Sequence, residues 1–166
     1  METRPWPRKS MILTAPFMYA TIPLGGYILW DKSPIIFGIY IATWIGILII
    51  GRHLVCRPCP HYGEDCPTGF GHIVRMFSKD TKREFSGRAC IADVLIIEAA
   101  FLIPLVIWIL SFIDIIDDFN AVEHILIGVY LILFFSFSTA HTVHGCNKCQ
   151  QENCPASVVS REHKKK

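Results

Sequence analysis

A chain of 166 residues has room for one domain, and 52% hydrophobic residues is too apolar for an ordinary water-soluble fold of this size. The formal net charge of +2 makes nucleic acid a poor candidate partner. Seven cysteines indicate disulfides in an oxidising compartment and metal or redox chemistry in a reducing one, so the membrane topology has to decide between them.

Four apolar stretches are long enough to cross a bilayer as helices, which takes roughly 20 residues each. They cover approximately residues 11–30, 34–51, 91–113 and 124–140. Pro16 and Pro23 predict a bend in the first stretch. Its length and the lack of a small-x-small cleavage site before Asp31 predict that it is a retained helix and not a cleaved signal segment. We therefore expect an all-α integral membrane protein whose four transmembrane helices form two hairpins, with a cysteine-rich cytoplasmic loop and tail.

Lysine and arginine are distributed unevenly among the segments outside these stretches. All but one of the 16 lie in the amino-terminal tail, the long central loop or the carboxyl tail, and the exception is Lys32 in a short turn. Cationic segments are retained in the cytoplasm. The sequence predicts a multi-pass protein of the cell membrane with both termini cytoplasmic. Its parts are a tail (1–10), a four-helix membrane domain (11–144) that includes the cytoplasmic cysteine-rich loop (52–90), and a cysteine-rich basic tail (145–166).

The central loop contains a short amphipathic pattern. Phe70, Ile73, Val74 and Phe77 recur at the spacing of one helical face. We expect a helix here that lies on the inner membrane surface, with its basic residues towards anionic headgroups.

All the cysteines fall on the predicted cytoplasmic side or at its membrane boundary. Six of them form two groups that each begin with a C-x-x-C pair: Cys56, Cys59 and Cys66 after the second stretch, and Cys146, Cys149 and Cys154 after the fourth. Two thiolates at this spacing can bind one ion from a tight turn. Because the second and fourth stretches run in the same direction, the two pairs should emerge at the same membrane surface.

The two pairs predict one shared centre with four thiolate ligands, which Cys66 and Cys154 would complete or flank. An alternative divides the six cysteines between two separate centres that each need a further ligand. The candidates for that ligand are His61, His72, Cys90 and His144.

Residue identity alone does not decide which metal such a site binds. Four cysteines in C-x-x-C pairs are typical of structural zinc, and thiolates also hold iron-sulfur clusters. Proline directly follows Cys59, Cys66 and Cys154, as it does at some iron-sulfur ligands. A disulfide, thiol chemistry or no metal is a further alternative, and a haem between His53 and His141 is disfavoured because histidines at that depth are usually interfacial or hydrogen-bonded.

The segment CRPCPHYGEDCPTGF, residues 56–70, resembles the cysteine-rich CPxG loops that follow membrane helices in NapH/NosR-type iron-sulfur membrane proteins. The resemblance is carried by Cys59, Cys66, Pro67 and Gly69, and it covers about a tenth of the chain. It implies electron transfer between the quinone pool and partner proteins. The spacing before CPTG is longer than in that family, and the complete ferredoxin-like cysteine run is absent.

Glu98 lies about two turns into the third stretch. An ionised carboxylate in hydrocarbon is expensive, so such a residue is a candidate for function, here a proton relay beside a redox centre. The alternative is a plain hydrogen bond between helices.

These features predict a membrane-anchored electron-transfer subunit with a cytoplasmic thiolate-ligated metal centre, for which iron-sulfur is favoured over zinc, and which would belong to an oxidoreductase complex. Its partners would be the bilayer, a soluble redox protein and other membrane subunits. One alternative is a non-redox scaffold with a structural four-cysteine zinc site, and another is a small metal-handling membrane protein. No recognisable nucleotide site, nucleophile triad or phosphate loop names a substrate.

Overall fold

The structure is a computed structural model that describes residues 8–59, 62–63, 66–77, 79, 87–113 and 119–145. Within these residues, four helices are long and apolar enough to cross a membrane, which confirms the prediction of a multi-pass helical membrane protein. They are Arg8–Trp30, Pro34–Val55, Gly87–Ser111 and Ala121–His144, the first to fourth spans. A further helix, Phe70–Phe77, lies in the long loop and is called the loop helix.

Most ends of the spans lie beyond the predicted bounds, towards polar residues, but the third span ends at Ser111, before the predicted residue 113. The first begins at Arg8 and continues through both prolines. The second passes through a π-helical turn, Ile47–Gly51, and ends at Val55. Hydropathy identifies the part of a helix that lies in the hydrocarbon layer. The helix itself can continue into the headgroup region, where charged side chains reach water.

The turn after the first span meets the residues that directly precede the fourth span at one end of the bundle, called the turn side. The Lys32 ammonium lies 3.0 Å from a carboxylate oxygen of Glu123 and 4.3 Å from the centre of the Phe119 ring. Glu123 also accepts the backbone N–H of Asn120 at 2.7 Å, while the Asn120 side chain accepts the N–H of Glu123. This capping box fixes the start of the fourth span, and the ion pair of Glu123 with Lys32 joins it to the turn after the first span.

Gly25 of the first span lies where all four spans meet. A Cβ atom built on it would lie 2.6 Å from the Tyr40 hydroxyl, 3.0 Å from the Tyr130 ring and 3.2 Å from the Pro104 ring. These three neighbours belong to the second, fourth and third spans. Tyr40 donates its hydroxyl to the Ile22 carbonyl at 2.9 Å, so the close approach is held by a hydrogen bond inside the bundle.

Phe101 of the third span forms the aromatic part of the core. Its ring centre lies 4.9 Å from that of Trp44, 5.4 Å from Phe134 and 5.6 Å from Phe137. The Tyr130 hydroxyl donates to the Phe101 carbonyl at 2.6 Å. Aromatic packing and a buried hydrogen bond therefore connect the third span to the second and the fourth.

The loop helix is confirmed, and its first turn packs against the bundle. Phe70 is fully buried and Val74 is buried, whereas Met76 and Phe77 are exposed. The Phe70 ring meets the edge of Tyr19 in the first span. This side of the bundle, opposite the turn side, is called the loop side.

Candidate metal centre

A buried ion pair lies at the loop side, where the second span approaches the third. The Arg52 guanidinium donates to the Asp93 carboxylate, and the two residues are only 5% and 7% exposed. Arg52 also lies 4.5 Å above the Phe70 ring. Its Nε has no hydrogen-bond partner among the described residues. The sequence assigns Asp93 no role and uses Arg52 only for the topology, because no local pattern relates two positions that are 41 residues apart.

Cys56 lies one helical turn beyond Arg52. Its backbone N–H donates to the Arg52 carbonyl at 2.9 Å, and the N–H of Cys59 donates in turn to the Cys56 carbonyl at 3.2 Å. The Cys56 side chain packs against the core of the bundle. Burial raises the pKa of this thiol to about 12, against the lowering effect of the Arg52 guanidinium. Cys56 is therefore a neutral thiol at pH 7, and a metal that binds it must displace the proton.

Cys66 lies in a tight turn of the long loop, and this turn packs against the first span. The N–H of Gly69 donates to the Cys66 carbonyl at 2.9 Å, and the φ angle of 73° at Gly69 favours glycine there. The Cys66 sulfur lies 3.2 Å from the Thr68 hydroxyl, and Tyr19 donates its own hydroxyl to the Thr68 carbonyl at 3.3 Å. Cys59 and Cys66 both lie near enough to Cys56 to raise its pKa further, so the three thiols share one region.

The end of the fourth span lies against this turn. The N–H of Gly145 donates to the His141 carbonyl at 2.8 Å, and a Cβ built on Gly145 would lie 3.2 Å from the Pro67 ring. In the sequence, Pro67 directly follows Cys66, and Gly145 directly precedes Cys146. The positions that adjoin the two cysteine groups are therefore in contact.

The described residues supply only part of the predicted ligand set. The four described cysteines, Cys56, Cys59, Cys66 and Cys90, are thiols and not disulfides. Within the described ranges, no three His, Cys, Asp or Glu side chains are grouped so as to hold a metal ion. Four predicted ligands lie outside the described residues, namely His61, Cys146, Cys149 and Cys154. The shared four-thiolate centre therefore stays a prediction.

The remaining candidate ligands are spread over three elements. His72 is exposed on the loop helix, Cys90 is half-buried in the first turn of the third span, and His144 is half-buried in the last turn of the fourth.

Glu98 is half-buried on the third span. No hydrogen bond or ion pair joins its carboxyl to any residue in the part of the chain that the structure describes. The interhelical hydrogen bond that was the alternative to a functional role is therefore not found within these ranges.

No family model, curated protein or solved structure matches this chain. The resemblance of residues 56–70 to the NapH/NosR-type loops thus stays a prediction.

Proposed function

We propose that this chain is a membrane-anchored electron-transfer subunit that holds a thiolate-ligated metal centre, of the iron-sulfur class, at the loop side of the bundle. The observation that carries the proposal is the contact between Pro67 and Gly145. It brings the chain directly after Cys66 against the chain directly before Cys146. A shared centre requires two cysteine groups about 80 residues apart in sequence to come together, and the contact between Pro67 and Gly145 supports such an approach.

The ligands would be the two C-x-x-C pairs, Cys56 with Cys59 and Cys146 with Cys149. Cys66 and Cys154 would complete or flank the centre. Metal binding would release the proton of Cys56 and would stabilise the folded state by roughly 10 kcal/mol, as in structural zinc peptides. That free energy is available only when both groups are assembled.

A redox role is supported by the surroundings of Cys56. The thiol packs against the membrane core and lies near the buried Arg52 guanidinium. Thiolate-ligated clusters carry net negative charge, and nearby charge and low solvent exposure are among the factors that set their reduction potentials. A centre held here would lie at the edge of the bilayer, between a carrier in the membrane and a soluble partner.

The test is the colour and metal content of protein purified without oxygen. An iron-sulfur centre gives broad visible absorption that bleaches on reduction, with iron and acid-labile sulfide bound in proportion to the protein. A colourless protein with bound zinc would overturn the electron-transfer role and favour the scaffold. A protein that binds neither metal would overturn the centre itself.

Whether the centre is shared can be tested with the double variant Cys56→Ser/Cys59→Ser. We expect loss of all bound metal together with faster proteolysis of the tail beyond Gly145. Cys90→Ser should retain the metal, because Cys90 belongs to neither group; loss of metal in that variant would favour the alternative in which Cys90 is the further ligand of a separate centre. Retention of half the metal with a protected tail would indicate two independent centres.

A further inference from the structure

The third span carries a row of residues with the spacing of a helix-pair interface. The members of this outer row are separated alternately by four and three residues: Ile91, Leu95, Glu98, Leu102, Leu105 and Ile109. Ile91, Leu95, Leu102 and Ile109 are exposed, whereas Glu98 is half-buried and Leu105 is half-buried and also packs against the core of the bundle. Alternating steps of four and three residues are the pattern of two helices that pack in a left-handed pair.

Glu98 distinguishes the outer row from an ordinary lipid-facing surface. Exposed Ile and Leu are expected wherever a span meets lipid, so the apolar members indicate nothing by themselves. A carboxyl among them is expensive unless it finds a partner, and no described residue bonds to it. The outward faces of the second and fourth spans carry no exposed carboxyl: their exposed residues are apolar, such as Ile39 and Ile132, or polar without a carboxyl, such as Thr139.

We propose that the outer row is an interface with a second copy of this chain, in which the two Glu98 carboxyls meet and share one proton. A two-fold axis along the bilayer normal would place the third spans side by side in parallel and bring Glu98 of each to the same depth. The protonated carboxyl then donates its O–H to the ionised one. The pair needs no basic residue at that depth, and a single polar residue in an apolar seam fixes the register of the two helices.

The dimensions of the row fit this arrangement. From Ile91 to Ile109 the helix rises about 27 Å at 1.5 Å per residue, close to the thickness of the hydrocarbon layer. Ala99, which is exposed next to Glu98, leaves room for a close approach of the partner backbone. The inference does not depend on the metal centre.

The experiment measures association of the purified full chain in liposomes, by energy transfer between differently labelled copies at a range of protein-to-lipid ratios. The parent protein should form dimers. Glu98→Gln, which keeps a hydrogen-bonding pair, should dimerise comparably, and Glu98→Leu should weaken dimerisation roughly fivefold to thirtyfold. A parent that stays monomeric, or a Glu98→Leu variant that dimerises as tightly as the parent, would overturn the proposal.

A photo-crosslinking amino acid locates the interface. Placed at Leu102 it should give crosslinked dimers, and placed at Ile132 on the outward face of the fourth span it should give few. Equal crosslinking from both positions would contradict the outer row as the interface. Circular dichroism of each variant confirms that a loss of dimers is not a loss of the helical fold.

Discussion

Arg52 and Asp93 form a buried ion pair that joins the second span to the third near the candidate metal centre. The arginine stays charged under all physiological conditions, so removal of its partner leaves an uncompensated charge away from water. We expect Asp93→Asn to lower the free energy of unfolding by roughly 3–5 kcal/mol. Thermal unfolding in detergent measures the loss, with Asp31→Asn on an exposed turn as the control.

The double variant Arg52→Gln/Asp93→Asn separates pairing from packing. Because it removes both charges, it should be more stable than Asp93→Asn alone. The losses of unfolding free energy in the single variants Arg52→Gln and Asp93→Asn should therefore not add in the double variant. An Asp93→Asn variant within about 0.5 kcal/mol of the parent would mean that the pair contributes nothing beyond an ordinary surface contact.

The crossing of the four spans at Gly25 predicts a steric effect. Gly25→Ala adds a methyl group 2.6 Å from the Tyr40 hydroxyl, so the hydroxyl must move and its hydrogen bond to Ile22 weakens. Overpacking of this kind costs about 1–3 kcal/mol of unfolding free energy. The matched control is Gly128→Ala in the fourth span, where a Cβ meets nothing within 4 Å. Equal stability of the two variants would show that the first span can move away from its neighbours.

The charge distribution predicts that both termini and the long loop face the cytoplasm. An impermeant maleimide added to intact cells should leave Cys66 and Cys154 unmodified and should label them after lysis. The variant Asp31→Cys places a thiol in an exposed turn on the opposite side and should be labelled without lysis. Modification of Cys66 in intact cells would refute both this orientation and the argument from a reducing compartment.

The sequence by itself determined the four spans and the loop helix, because hydropathy and helical periodicity are local properties of the chain. Its predicted bounds were short at several ends, for example at Val55, because apolarity reports contact with lipid and not the end of hydrogen bonding along a helix. The cysteine spacing likewise predicted two half-sites, of which the structure describes only the first group.

Only the tertiary structure decided which faces of the spans meet. The third span is apolar on nearly all sides, so the lipid-facing and bundle-facing residues look alike in the sequence. For that reason the sequence could single out Glu98 as costly but could not tell whether it bonds within the bundle. The Arg52–Asp93 pair and the contact of Gly145 with Pro67 join distant positions, and both depend on how each helix is rotated about its axis. That rotation is set by packing around Gly25 and Phe101, which no local pattern of residues records.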